Sequence, residues 1–172
     1  MIGAWARSMA PFACLILLTT LGRTACGSSG ITDPGMYGTA TTTLQPGSYG
    51  SLSETPSTIH KVTIVQFIDG AQSGEPAHQP APGMKYWTAK VFLENKGTDP
   101  ITPGQVKLRT RDMTDYDPVT VPGLTASFGT LSLKRGAQAT ATFVFEIPQD
   151  AHPKLLRYYP DPSKDAAIQF TS

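Results

Sequence analysis

The most regular hydrophobic pattern in this chain is KYWTAKVFLENKG, Lys85 to Gly97, where Trp87, Ala89, Val91 and Leu93 fall on one face and Thr88, Lys90 and Glu94 on the other. A period of two predicts a strand with one buried face. In IHKVTIVQFID, Ile59 to Asp69, Val62, Ile64 and Ile68 alternate with Lys61, Thr63 and Phe67, although Val65 and Gln66 blur the two faces. In ITPGQVKLRTRD, Ile101 to Asp112, Val106 and Leu108 alternate with Lys107, Arg109 and Arg111 after a Pro103–Gly104 turn. A hairpin is predicted over Ser127 to Pro148. Leu131 and Leu133 precede its Lys134–Arg135–Gly136 turn, and Ala139, Ala141, Phe143, Phe145 and Ile147 follow it. Short strands are expected at Pro118–Val121 and Ala167–Phe170, the latter after a proline-rich irregular stretch from His152 to Pro162. No long stretch has the apolar period of a helix, and the 16 glycines and 15 prolines favour strands and turns. Six or seven short strands of this spacing predict an all-β fold, a two-sheet antiparallel sandwich over residues 58–172. A domain of about 115 residues buries enough surface to fold without a disulfide or a metal.

The first 25 residues follow a different pattern. Arg7 precedes an apolar run from Met9 to Leu21, which is too short to span a bilayer as a helix and reads as a signal peptide. The segment Leu21, Gly22, Arg23, Thr24, Ala25, Cys26 resembles a bacterial lipobox. That resemblance implies diacylglycerol on the Cys26 thiol, cleavage before Cys26, and a membrane partner held through an N-terminal lipid. Arg23 stands where the lipobox prefers an apolar residue, so ordinary secretory cleavage, with Cys26 a free thiol in a soluble protein, remains the alternative. From Gly27 to Pro56 the chain is rich in Gly, Ser, Thr and Pro, and residues 26–57 read as a lipidated N-terminus followed by a flexible tether. Cys14 leaves with the signal peptide, so no disulfide can form within the mature chain. Cleavage also leaves 12 basic residues against 13 acidic ones. A near-neutral chain gains little from anionic head groups, so acyl chains would carry the membrane association. The same balance argues against a nucleic-acid partner.

The strand ending in E-N-K-G, the basic strand after it, and the run G-x-L-x-L-x-x-G followed by F-V-F-E-I-P-Q-D-A carry a family likeness. Over Ile59 to Phe170 the chain resembles the immunoglobulin-like domain of small exported bacterial lipoproteins. This group is largely of unknown function, and its relatives include the mycobacterial immunoprotective secreted antigen. The resemblance implies an immunoglobulin-like sandwich outside the cytoplasm and supplies no catalytic residues.

Candidate chemistry is sparse. His60, His78 and His152 are scattered without the spacing of a zinc or copper motif. A copper site from His60, Met84, Met113 and His152 is chemically conceivable, since imidazole and thioether suit that metal. Asp112, Asp115 and Asp117 in RDMTDYDP offer oxygen ligands for calcium but lack the EF-hand pattern, and such aspartates more often initiate turns. No G-x-S-x-G elbow is present. Lys107, Arg109 and Arg111, joined by Lys61 or Lys90, are a candidate positive patch for lipid head groups or glycans, the alternative being a solvated sheet face. Tyr158 and Tyr159, beside Pro160 and Pro162, offer aromatics either to a partner or to the core. The leading expectation is a non-enzymatic interaction module that needs no cofactor and binds an envelope protein or glycan. A small-ligand or metal carrier of the envelope is the second, and an enzyme the third.

Overall fold

The strand read most clearly from the sequence is the centre of one of two sheets. The computed structural model describes residues 38–129 and 132–172. Among them are nine strands: β1 (Ala40–Thr43), β2 (Tyr49–Thr55), β3 (Thr58–Ala71), β4 (Met84–Asn95), β5 (Gln105–Thr110), β6 (Asp115–Tyr116), β7 (Gln138–Pro148), β8 (Pro153–Tyr159) and β9 (Ile168–Thr171). A four-stranded sheet runs β2-β3-β4-β7 and a five-stranded sheet runs β1-β9-β8-β5-β6. The β-sandwich is therefore as expected. Every pairing among the strands of residues 58–172 is antiparallel, and β1, from the stretch expected to be tether, adds one parallel pairing with β9.

The inner faces make the core. Trp87, Ala89, Val91 and Leu93 of β4 are all buried, as are Ala141, Phe145 and Ile147 of β7. Opposite them lie Val106 and Leu108 of β5, Leu156 and Tyr158 of β8, and Ile168 and Phe170 of β9. Fully burying one such large apolar side chain contributes about 1.5–3 kcal/mol. A smaller group, Ala71, Tyr86, Val121 and Val144, is buried with Val119 and Leu124 packed against it. Val119 and Ala126 bridge to Val144 and Thr142 of β7, running that loop along the outer edge of the sheet's end strand.

Several strand assignments change. Within the stretch expected to be tether, β1 and β2 are ordered, and Ala40, Leu44 and Leu52 reach the core. A strand needs few apolar residues when small ones let a neighbour close. A Cβ on Gly50 would collide with the Ile168 side chain, so glycine there admits a core residue of the opposite sheet. The stretch from His152 to Pro162, expected to be irregular, contains β8, which pairs with both β5 and β9. Pro153 opens that strand and Pro160 follows its end, so the prolines bracket it without interrupting it. Only the second arm of the expected hairpin is a strand. Leu133 bridges Ile101 instead, and Leu131 lies outside the described residues. The expected strand at Pro118–Val121 reduces to the single bridge at Val119, while the basic strand starts at Gln105, directly after the expected Pro103–Gly104 turn.

The connections give the sandwich two unlike ends. The end of β2, the start of β3, the start of β5 and the end of β8 gather at one end, where the described chain also enters. There the Ala40 N–H donates to the Ala167 carbonyl at 3.0 Å. The end of β3, the start of β4, the end of β7 and the β5–β6 turn lie at the other.

Candidate functional site

At the entry end an open cleft of about 460 Å³ is lined by Glu54, Thr58, the segment from Pro100 to Gln105, and Pro160 to Pro162. Beneath it runs a buried polar chain that the sequence did not foretell. Alternation on β3 puts His60 on the inner face with Val62 and Ile64, and alternation on β8 does the same for Tyr158 with Leu156. His60 Nδ1 lies 3.0 Å from the Tyr158 hydroxyl, and His60 Nε2 lies 3.2 Å from Glu54 Oε2. The Gly104 N–H donates to the Tyr158 oxygen at 2.8 Å. An ionised Glu54 accepts only, so His60 carries its proton on Nε2, and Nδ1 is left to accept from Tyr158. One directed chain, Gly104 to Tyr158 to His60 to Glu54, thus ties both walls of the cleft to the core.

Burial holds His60 down at about 4 and so keeps it neutral. Burial also raises Tyr158 and Glu54 above their usual ranges. A tyrosine pushed upward stays protonated at neutral pH, which suits the Tyr158 hydroxyl to donating to His60. At the rim, Asp161 is held down at about 2, chiefly by hydrogen bonds from Ser163, and pairs with Lys164 at 3.0 Å.

The basic strand and the acidic loop, each weighed separately as a site, turn out to be partners. Asp115 receives Arg109 Nε and Nη2, each at 2.6 Å, and Arg157 Nη2 at 2.7 Å. These bonds hold its carboxyl down at about 2. Asp117 pairs with Lys107 at 3.0 Å. Asp112 accepts from the hydroxyls of Thr110 and Thr114 and closes the turn. The positive patch is not assembled, because Lys61 and Lys90 belong to the other sheet. Nor are the copper candidates brought together. His60 is buried at the entry end, whereas His152, Met84 and Met113 lie at the opposite one, and no group of three or more His, Cys, Asp or Glu among the described residues is arranged to hold a metal. Exposed His78 faces Glu75 at 3.3 Å. Tyr158 is core, and Tyr159 lies under the Arg157 guanidinium at 5.6 Å. Cys26 lies outside the described residues.

Among the described residues, three of the exposed large apolar side chains cluster on β3. β2 pairs with β3 only over its first half, as far as Thr63, and the Ser48 and Gly47 main chain closes on Ile64. From Val65 onward, among the described residues, β3 has a strand neighbour, β4, on one side alone. At Val65 the register slips by one residue, the very position where the sequence pattern blurred. Ile68, expected to face inward with Val62 and Ile64, is thereby turned outward and is 45% exposed, beside Val65 at 42% and Phe67 at 37%. Phe67 stacks on the edge of the core against Trp87, with ring centres 5.9 Å apart.

These features sit on a known framework. The family model for a domain of unknown function, DUF4352, matches residues 52–168. The chain belongs to this family. The family likeness read from Ile59–Phe170 coincides with the matched region. Among solved structures, the secreted protein MPT63 of Mycobacterium tuberculosis superposes with a TM-score of 0.58 at 16% identity, over 78% of this chain and 98% of that one. A Bacillus subtilis protein described as a lipoprotein, YcdA, superposes with a TM-score of 0.54 at 15% identity, over 69% of this chain and 39% of that one. At such identities the likeness is one of fold. No curated protein matches the sequence.

Proposed function

We propose that this DUF4352 chain is an extracytoplasmic protein, lipid-anchored through Cys26, whose β-sandwich serves as a non-enzymatic interaction module. The observation that carries this reading is the contrast between a filled core and an exposed apolar strand edge at Val65, Phe67 and Ile68. The signal-like segment before Cys26 supports the anchor, and kinship of fold with a secreted protein and a described lipoprotein supports the location. With β1 beginning at Ala40, the tether shortens to Gly27–Thr39, 13 residues that reach at most about 45 Å. The cleft beside Glu54 and Asp161 favours a second reading, a carrier of a small polar ligand. Fractionation of the native host tests the first. Wild-type chain is expected in the membrane fraction and Cys26→Ala in the soluble extracytoplasmic fraction, whereas identical partitioning of the two overturns the anchor.

A further inference from the structure

We propose that the unpaired half of β3, from Val65 to Asp69, is the docking edge of this module and takes up an extended, carboxylate-bearing segment of an envelope protein as an added strand. Three observations converge there. The first is main-chain supply: β2 stops pairing at Thr63, so the edge beyond Ile64 has no strand beside it among the described residues, and such an edge is satisfied by another strand. The second is side-chain character. Val65, Phe67 and Ile68 are exposed on that edge, and because of the register slip they present apolar surface to both faces of the sheet, Phe67 toward Trp87 and Ile68 beside Thr88. A strand laid along the edge would cover side chains on either face.

The third is charge and position. Lys90 lies opposite Gln66, on the same face as Ile68, and has no carboxylate partner among the described residues, while Lys61 sits over the Tyr49 ring at 4.6 Å. The acid within this stretch, Asp69, is taken by Lys85 at 3.0 Å. Lys61 faces Glu94 across the strand pair, so Lys90 supplies the cation beside the apolar edge, and the complementary segment carries a carboxylate beside its apolar residues. The chain enters at Ala40, and the 13 residues back to Cys26 join the opposite end of the sandwich, so an anchored domain turns this half of β3 away from its tether. That step rests on the function proposed above. The bulge at Val65 and the inward Asp69–Lys85 pair keep the open run short, which suits a segment of about four to six residues and guards against unlimited self-pairing.

The test is site-directed photo-crosslinking of the full-length chain in its native host, with p-benzoylphenylalanine at position 68, at position 65, and at exposed position 111 on the other sheet as a control. The expected result is a discrete adduct from positions 68 and 65 but not from 111. On the partner it should map to an extended apolar segment containing Asp or Glu, and Lys90→Glu should reduce it about tenfold while leaving the thermal midpoint unchanged. Adducts only to a second copy, adducts only to lipid, no adduct, or an adduct indifferent to Lys90→Glu would each overturn the proposal. Failure of the anchor is separable: an adduct that survives in Cys26→Ala keeps the edge and removes the tether, and membrane-bound chain without an adduct does the reverse.

Discussion

The Nδ1 of His60 lies 3.0 Å from the hydroxyl of Tyr158, a hydrogen bond that crosses the core from the four-stranded sheet to the five-stranded one. Replacing Tyr158 with Phe removes that hydroxyl and leaves His60 Nδ1 and the Gly104 N–H without partners. A buried unsatisfied group costs about 1–3 kcal/mol. Urea unfolding of Tyr158→Phe is expected to show a loss of that size with an unchanged slope; an unchanged midpoint would mean the bond contributes nothing.

The same histidine makes stability depend on pH. Folded His60 is held at about 4, while its ordinary value is 6.5, so the unfolded chain takes up the proton first. His60's contribution is complete above about pH 6.5 and falls as the pH drops toward 4, by about 3 kcal/mol at most. Raised Glu54 works the other way, because the folded chain binds that proton more readily, and trims the loss. Unfolding midpoints measured from pH 7.5 to pH 4 should decline in wild type and flatten in His60→Gln. Parallel curves would assign the decline to other groups.

The basic strand and its acidic loop yield a second stability prediction. Arg157 is mostly buried, and its guanidinium meets Asp115. A double-mutant cycle of Asp115→Ala with Arg157→Ala should give a coupling of about 1 kcal/mol, larger than the cycle with Arg109, whose side chain is more exposed. Asp115 is held at about 2, below its ordinary 3.8, so this coupling persists at neutral pH and disappears only as the pH falls from about 4 to 2. Millimolar calcium should leave the thermal midpoint unchanged, since the carboxylates of Asp112, Asp115 and Asp117 are engaged by threonine hydroxyls, Arg109, Arg157 and Lys107.

At the cleft wall, Gly104 is required for closeness. A Cβ there would collide with the carbonyl oxygen of Tyr159. Gly104→Ala should therefore destabilise by about 1–3 kcal/mol through forced backbone movement. A variant as stable as wild type would show that the two walls are not held as tightly as the Gly104–Tyr158 bond implies.

What could be read from the sequence followed the strength of local alternation. β4 and the second arm at β7 stand out because apolar residues recur at every second position over four or five repeats. β1 and β2 do not, since threonine, serine and glycine supply the strand and a single Leu52 or Ala40 the burial. β8 was obscured by flanking prolines that prove to mark its ends. The cleft chain was invisible for another reason: Glu54 and His60 are six residues apart, but Gly104 and Tyr158 lie far from them and from each other in sequence and join them only through cross-strand and cross-sheet packing. The open edge did leave a local trace in the broken alternation at Val65–Gln66, but that it is unpaired follows from where β2 ends, which no pattern within β3 records.

The mature N-terminus decides whether the module is anchored. Intact-mass analysis of the chain recovered from native membranes is expected to show a protein beginning at Cys26 with added acyl mass, and Cys26→Ala should lose both that mass and the membrane association. An unacylated chain recovered from the medium would contradict the anchored module and make Arg23 the reason that processing followed the ordinary secretory route.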